Sequence, residues 1–206
     1  MTHETEDAAD IAWMRRLAQE GAQAPMRGGP ILMAAGLIYG VASLIHWAGL
    51  TGLLPVMDEG AGLVWLAATG LFILVLVILV ARQMRAGGVR TTANRAAAVA
   101  WASVGWGIFA TFTSLAVIGL RLGDDALLIL SITPSIIMVF YGMGWAVSAA
   151  MTRSTHLWWL AIGAFLAAPL LAAFSGRDVQ YLAYAACLFA LMAVPGWLIS
   201  RRAAGG

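Results

Sequence analysis

Apolar residues fall along this chain in six long runs, and polar and charged residues are confined to the stretches between them. The runs cover 30–49, 61–81, 96–120, 126–151, 157–174 and 179–200. A helix rising 1.5 Å per residue needs roughly 17–25 residues to cross a hydrocarbon core, and every run falls near or within that range. None alternates polar with apolar positions as a barrel strand does. Unpaired backbone amides are costly in lipid, so each run predicts a helix. The expected fold is an all-α membrane protein: a six-transmembrane-helix bundle over 30–200, with an N-terminal arm over 1–29 and a tail over 201–206.

Composition agrees with that pattern. The chain has 206 residues, 62% of them hydrophobic and only 11% charged. Soluble domains carry about 25% charged residues, so too few charges are present here to clothe a water-facing surface. All twelve basic residues are arginine, and their placement is uneven. Arg15, Arg16 and Arg27 precede the first run, Arg82, Arg85, Arg90 and Arg95 separate the second from the third, Arg153 follows the fourth, and Arg201 and Arg202 follow the sixth. Only Arg121 and Arg177 fall on the opposite side. The positive-inside rule then sets both termini in the cytoplasm. The absence of lysine, with alanine and glycine abundant, resembles the composition of a GC-rich bacterial gene, which makes the expected location the bacterial inner membrane. Arginines that flank apolar runs, rather than gathering on one face, do not describe a nucleic-acid surface.

The arm has its own pattern. Between Asp7 and Gln19, Ile11, Met14, Leu17 and Ala18 recur at helical spacing, with acids early and Arg15 and Arg16 later. This predicts a short amphipathic cytoplasmic helix, which either orients the bundle from beneath or docks a protein partner. Gly21, Pro25, Gly28 and Gly29 then break it. A start this polar and acidic does not resemble a cleaved signal peptide.

Candidate chemistry is sparse. No Asp, Glu, Arg or Lys lies inside any of the six runs, whereas ion-coupled carriers usually keep an ionisable group at membrane depth. His46 and His156 lie near opposite ends of their runs, too far apart to share a haem, and neither an HExxH pattern nor a glycine-rich phosphate loop occurs. The one cysteine, Cys187, reads as a small apolar side chain. Tyr39, Ser43 and His46 share one helical face. At its outer end His46 comes within reach of the loop acids Asp58, Glu59, Asp124, Asp125 and Asp178, a donor set suited to a divalent metal. The simpler reading is an interfacial histidine among solvated acids. No cofactor is expected.

Small residues inside the runs predict close helix contacts: Gly36 with Gly40 in the first, Ser103 with Gly107 in the third. Pro134, Pro169 and Pro195 fall inside runs four, five and six, where proline commonly kinks a helix. Kinked helices can enclose a cavity, for which Tyr39, Ser43, Pro134, Tyr141 and Trp145 are the candidate lining residues. Trp47 and Trp65 are expected in an outer aromatic belt, Trp101, Trp158, Trp159 and Trp197 in an inner one, and Trp106 with Trp145 in the core. Three functions follow from these features. The first is an accessory or regulatory membrane protein acting through partner contacts made by its arm. The second is a carrier or channel for a small neutral or lipophilic solute. The third is an outer-face metal-dependent enzyme around His46.

Overall fold

The computed structural model describes residues 12–13, 28–54, 60–85, 92–123 and 127–204. Among these the chain is all-helical, 91% helix without strands, and six helices are long and apolar enough to cross a membrane. They are α1 (Gly29–Leu50), α2 (Gly60–Arg85), α3 (Thr92–Leu122), α5 (Thr133–Thr152), α6 (Thr155–Ala173), and a last composite helix. The composite joins α7 (Val179–Leu188), a π-helical turn (Phe189–Ala193) and α8 (Val194–Ala204). A short helix, α4 (Leu127–Leu130), precedes α5. The arm helix expected over 7–19 lies outside the described residues, apart from an exposed Trp13.

The fourth apolar run, read from the sequence as one helix over 126–151, is divided at Ser131 and Ile132. Pro134 therefore does not kink a helix interior. It stands in the first turn of α5, where a residue without an N–H costs no helical bond. Thr133 spans the break by donating its hydroxyl to the Leu130 carbonyl at 2.6 Å. Pro195 acts differently. It has no N–H to offer the Leu191 carbonyl one turn back, and that carbonyl instead accepts the Trp145 indole N–H at 3.0 Å. Just before it, the amide of Val194 reaches back five residues to Phe189, closing the π turn.

Two groups of helices result. In the first, α1 is central, with α2 on one side and the composite helix on the other. In the second, α5 is central between α3 and α6. Neighbours run antiparallel: the Gly29 end of α1 meets Gly196 and Ser200, and its other end donates from Ser43 to the Tyr181 carbonyl. Backbone approach between the groups runs mainly from α6 to α7 and the π turn. Side chains of both groups complete one core, including Met138, Tyr141 and Trp145 of α5, Leu171 of α6, and Tyr184, Leu188 and Met192 of the composite helix.

Burial is uneven across the six. Only 6% of the most apolar stretch of α2 is buried, and 11% of that of α3, against 44% for α5. Each flanking helix turns one stripe inward. In α3 the stripe is Ala97, Trp101, Val104, Ile108 and Leu115, at the three- and four-residue spacing of a helix face. Trp106 lies off that stripe and is 72% exposed, so it is not the core residue its depth suggested. Ser103 is exposed too, its hydroxyl donating to the Val99 carbonyl, while Gly107 on the inner side receives the Phe140 ring.

Candidate functional site

Where the two groups meet, three tyrosines converge from three helices. Tyr39 comes from α1, Tyr141 from α5 and Tyr184 from α7; the last two belong to one buried core, and Tyr39 packs against it. Tyr39 donates a long bond, 3.4 Å, to the Thr69 hydroxyl on α2, with its ring tilted against Phe72. Tyr141 and Tyr184 are only 6% and 3% exposed. Neither hydroxyl has a hydrogen-bond partner among the described residues. A buried phenol ordinarily finds one, because a bare O–H in an apolar surround costs about 1–3 kcal/mol. Among the described residues the fully buried side-chain polar atom without a partner is Ser135 Oγ, so both tyrosine oxygens retain some accessible surface although their rings are buried.

Aromatic rings wall this spot. The Trp65 ring lies 6.4 Å from Tyr184, and the Trp101 ring 6.2 Å from Tyr141. Their polar edges are already used: Trp65 donates to His46 Nδ1 at 2.7 Å, and Trp101 donates to the Ser148 hydroxyl at 3.1 Å. Both indole N–H groups are thus bonded within the protein. Trp145 is fully buried one turn beyond Tyr141, edge-on to Trp101 at 5.1 Å. Cys187, the free cysteine, is half-buried one turn after Tyr184 and packs against the same core.

Of the expected cavity residues, Tyr39 and Tyr141 come together, with Trp145 beneath them. Ser43 is fully buried and stitches α1 to α7, and Pro134 opens α5 near the far end of the seam. Tyr184, Thr69 and Gln180 escaped the sequence reading. A tyrosine deep in an apolar run is itself a signal, since its hydroxyl must be answered. Gln180 sits at 1% exposure and donates from Nε2 to the carbonyls of Ser131 at 2.7 Å and Leu171 at 3.2 Å. It thereby caps the broken backbone between α4 and α5 and the end of α6 together.

The Leu50 end of α1 is organised around His46. Its ring stacks on Tyr181 with centroids 3.9 Å apart, and its Nδ1 accepts the Trp65 N–H. An accepting Nδ1 carries no proton, so in the neutral ring Nε2 carries it. Metal ligation through Nε2 would require the other tautomer and break the Trp65 bond. No three His, Cys, Asp or Glu side chains converge among the described residues. Of the acids expected near His46, Asp178 caps α7 by accepting the Val179 amide at 2.8 Å, and Asp58, Glu59, Asp124 and Asp125 lie outside the described residues.

The paired small residues divide in the same way. A Cβ added to Gly36 would fall on the backbone of Ala193, and one added to Gly40 would fall 2.6 Å from the Phe189 ring, so both lie against the π turn. The site is therefore an uncharged, aromatic-walled meeting of two helix groups with two unspent O–H donors. Comparison with known protein families, with curated proteins and with solved structures finds no match for this chain.

Proposed function

We propose that this chain is a multi-pass protein of the bacterial inner membrane, with both termini cytoplasmic, that holds and carries a small neutral solute at the seam between its two helix groups. The observation that carries this reading is that two buried tyrosines, Tyr141 and Tyr184, one from each group, have hydroxyls without a hydrogen-bond partner among the described residues. Three features support it. No Asp, Glu, Arg or Lys lies inside the apolar runs, which suits an uncharged solute and uncoupled movement. Backbone contact between the groups is thin, so they can shift relative to one another. Helix discontinuities at Ser131–Ile132 and Phe189–Ala193 border the seam, where irregular backbone in membrane proteins commonly lines a cavity.

Thiol accessibility in membrane vesicles tests it. Native Cys187, and a Thr69→Cys substitution made in a Cys187→Ala background, should react with a small polar methanethiosulfonate much faster than Leu74→Cys in the same background. Leu74 is exposed on the outer face of α2 and stands for the lipid side. Equal, slow labelling at all three positions would mean that no path for a polar molecule reaches the seam. The orientation is tested separately. Reporter fusions after Glu59, Gly87, Asp125, Thr155 and Gly206 should read outside, inside, outside, inside, inside, and any other order ends the topology.

A second reading has one observation in its favour. The slight burial of α2 and α3 leaves broad apolar faces, and these suit an accessory protein that a partner covers as well as they suit lipid. Deleting residues 1–24 abolishes function under that reading and spares solute movement under the first. A metal-dependent site around His46 has less support, because the Trp65 bond holds the ring in the wrong tautomer.

A further inference from the structure

Among the described residues, two side-chain hydrogen bonds tie α2 to α1, and they are unequal. One is the long Tyr39–Thr69 contact at 3.4 Å, and the other is the Trp65 indole N–H on His46 Nδ1 at 2.7 Å. In backbone terms α2 comes close mainly to α1. It reaches α7 through Trp65 itself, whose ring lies 6.5 Å from Tyr181 and 6.4 Å from Tyr184. Whatever frees Trp65 therefore loosens the Gly60 end of α2.

His46 is the member of that pair whose role depends on a proton. Its Nδ1 accepts only while bare, and an imidazolium has two donors and no acceptor. Turning the ring over cannot restore the bond, because both nitrogens then carry protons. The stack on Tyr181, with centroids 3.9 Å apart and planes at 22°, is of a different kind. A cation is attracted to the face of a tyrosine ring, so this contact survives protonation. So does the Ser43 bond to the Tyr181 carbonyl at 2.7 Å. A proton thus separates two contacts that the neutral ring holds together, one to α2 and one to α7. Neighbouring groups leave that choice to the ring. From α2, no titratable side chain lies between Gly60 and Phe72. From α7 come Tyr181, in contact, and Asp178 one turn earlier, with Oδ1 on the Val179 amide. Asp58 and Glu59, ahead of α2, lie outside the described residues.

We propose that the His46–Trp65 bond is a proton-operated latch: a bare Nδ1 fastens α2 to α1, and a protonated one releases the Gly60 end of α2 while α1 stays on α7. The proton comes from water at the Leu50 end of α1, where residues 50–54 are exposed, and returns to it. The fastened form is present above the histidine titration and is lost as the pH falls through it, roughly from pH 8 to pH 5. In the topology proposed above this end is the outer one, so the latch reads the outside pH. It does not depend on the seam holding a solute.

The test uses the full-length protein in lipid nanodiscs across that pH range. Hydrogen exchange, corrected for its intrinsic pH dependence, is followed in Gly60–Thr69 and in Val179–Leu188, and 15N spectra report the His46 nitrogens and the Trp65 indole. Loss of one net hydrogen bond should speed exchange in Gly60–Thr69 about fivefold at the acid end and leave Val179–Leu188 unchanged. The Trp65 indole signal, identified by its loss in Trp65→Phe, should move in step with the titration of His46. His46→Asn sets an amide oxygen near the place of Nδ1 and should keep Gly60–Thr69 slow at both ends of the range. Trp65→Phe should be fast at both. If either variant does not fold, the wild-type spectra decide alone. The latch is overturned by equal acceleration in His46→Asn, by equal loosening of the two segments, by an indole signal indifferent to His46, or by a His46 that stays neutral throughout.

Discussion

Glycines make two of the close helix contacts among the described residues, yet the two contacts are built from different materials. Between α1 and the composite helix, backbone lies on backbone: a Cβ at Gly36 would strike the Ala193 main chain, and one at Gly196 would strike the Met33 amide. Between α3 and α5, a glycine receives a ring edge: Gly107 faces Phe140, and Gly144 faces Trp101. Main chain in a helix cannot step aside, whereas an aromatic ring can turn about χ1 and χ2. The first contact is therefore a fixed spine carrying Tyr184, and the second an adjustable one beside Tyr141. A solute site between a fixed wall and a yielding wall can close on its occupant without remaking its core.

The comparison breaks most visibly at the spine. Gly36→Ala and Gly196→Ala each drive a methyl into main chain, an overpacking that costs about 2–3 kcal/mol where nothing can rotate away. Unfolding by SDS titration should show both variants shifted to lower midpoint. Wild-type stability in either would mean that α1 and the composite helix stand further apart than the contact implies.

The next effect belongs to the Gln180 clamp. Gln180→Met keeps the volume of the side chain and removes an amide that bonds the Ser131 and Leu171 carbonyls together. Those carbonyls keep the Ser175 hydroxyl and the Phe174 amide, so the loss is that of two net hydrogen bonds, about 1–3 kcal/mol. Loss should appear both in the SDS midpoint and as faster hydrogen exchange around Ser131–Ser135. Unchanged exchange there would mean that the break in the fourth apolar run is held without Gln180.

The number of long apolar helices was legible because it depends on a single variable, apolar length. What proline does inside a span was not legible, because it depends on which partner takes the carbonyl that proline leaves bare. Pro134 needed none, being in a first turn, and Pro195 needed Trp145, which lies 50 residues away in the chain. Half the candidate site could be read from the sequence for a similar reason. Tyr39 stood out by its helical spacing with Ser43 and His46, and Tyr141 and Trp145 by the glycines between them, but Tyr184 joins their core only once α7 is folded against α1. Trp106 failed in the opposite sense: its depth was readable and its rotation about the α3 axis was not, although the Ala97–Trp101–Val104–Ile108 stripe excludes it from the buried face.

A smaller loss is expected on the yielding side. Gly107→Ala pushes a methyl toward the far edge of Phe140, at 2.8 Å from its Cε1, and the ring can swing away. The cost should stay near or below about 1 kcal/mol, clearly less than at Gly36, measured in the same SDS titration. Equal losses at Gly107 and Gly36 would remove the distinction between the two contacts.

The smallest effect has the opposite sign. Gly70 of α2 and Gly105 of α3 have nothing within 4 Å of the place a Cβ would occupy, and both face outward in ordinary helical conformation. If lipid covers these faces, Gly70→Ala and Gly105→Ala should stabilise by about 0.5–1 kcal/mol, since alanine loses less backbone freedom on forming a helix. A protein partner seated on either face would reverse that gain, because a glycine at a helix contact is there to admit something close. Measured in detergent, where a partner is stripped away, both variants should rise above wild type. Measured for function in cells, they should be neutral if α2 and α3 meet only lipid, and impaired if a partner docks there. The same two substitutions therefore separate the solute reading from the accessory reading on a surface remote from the tyrosines, so the result does not depend on what the seam binds.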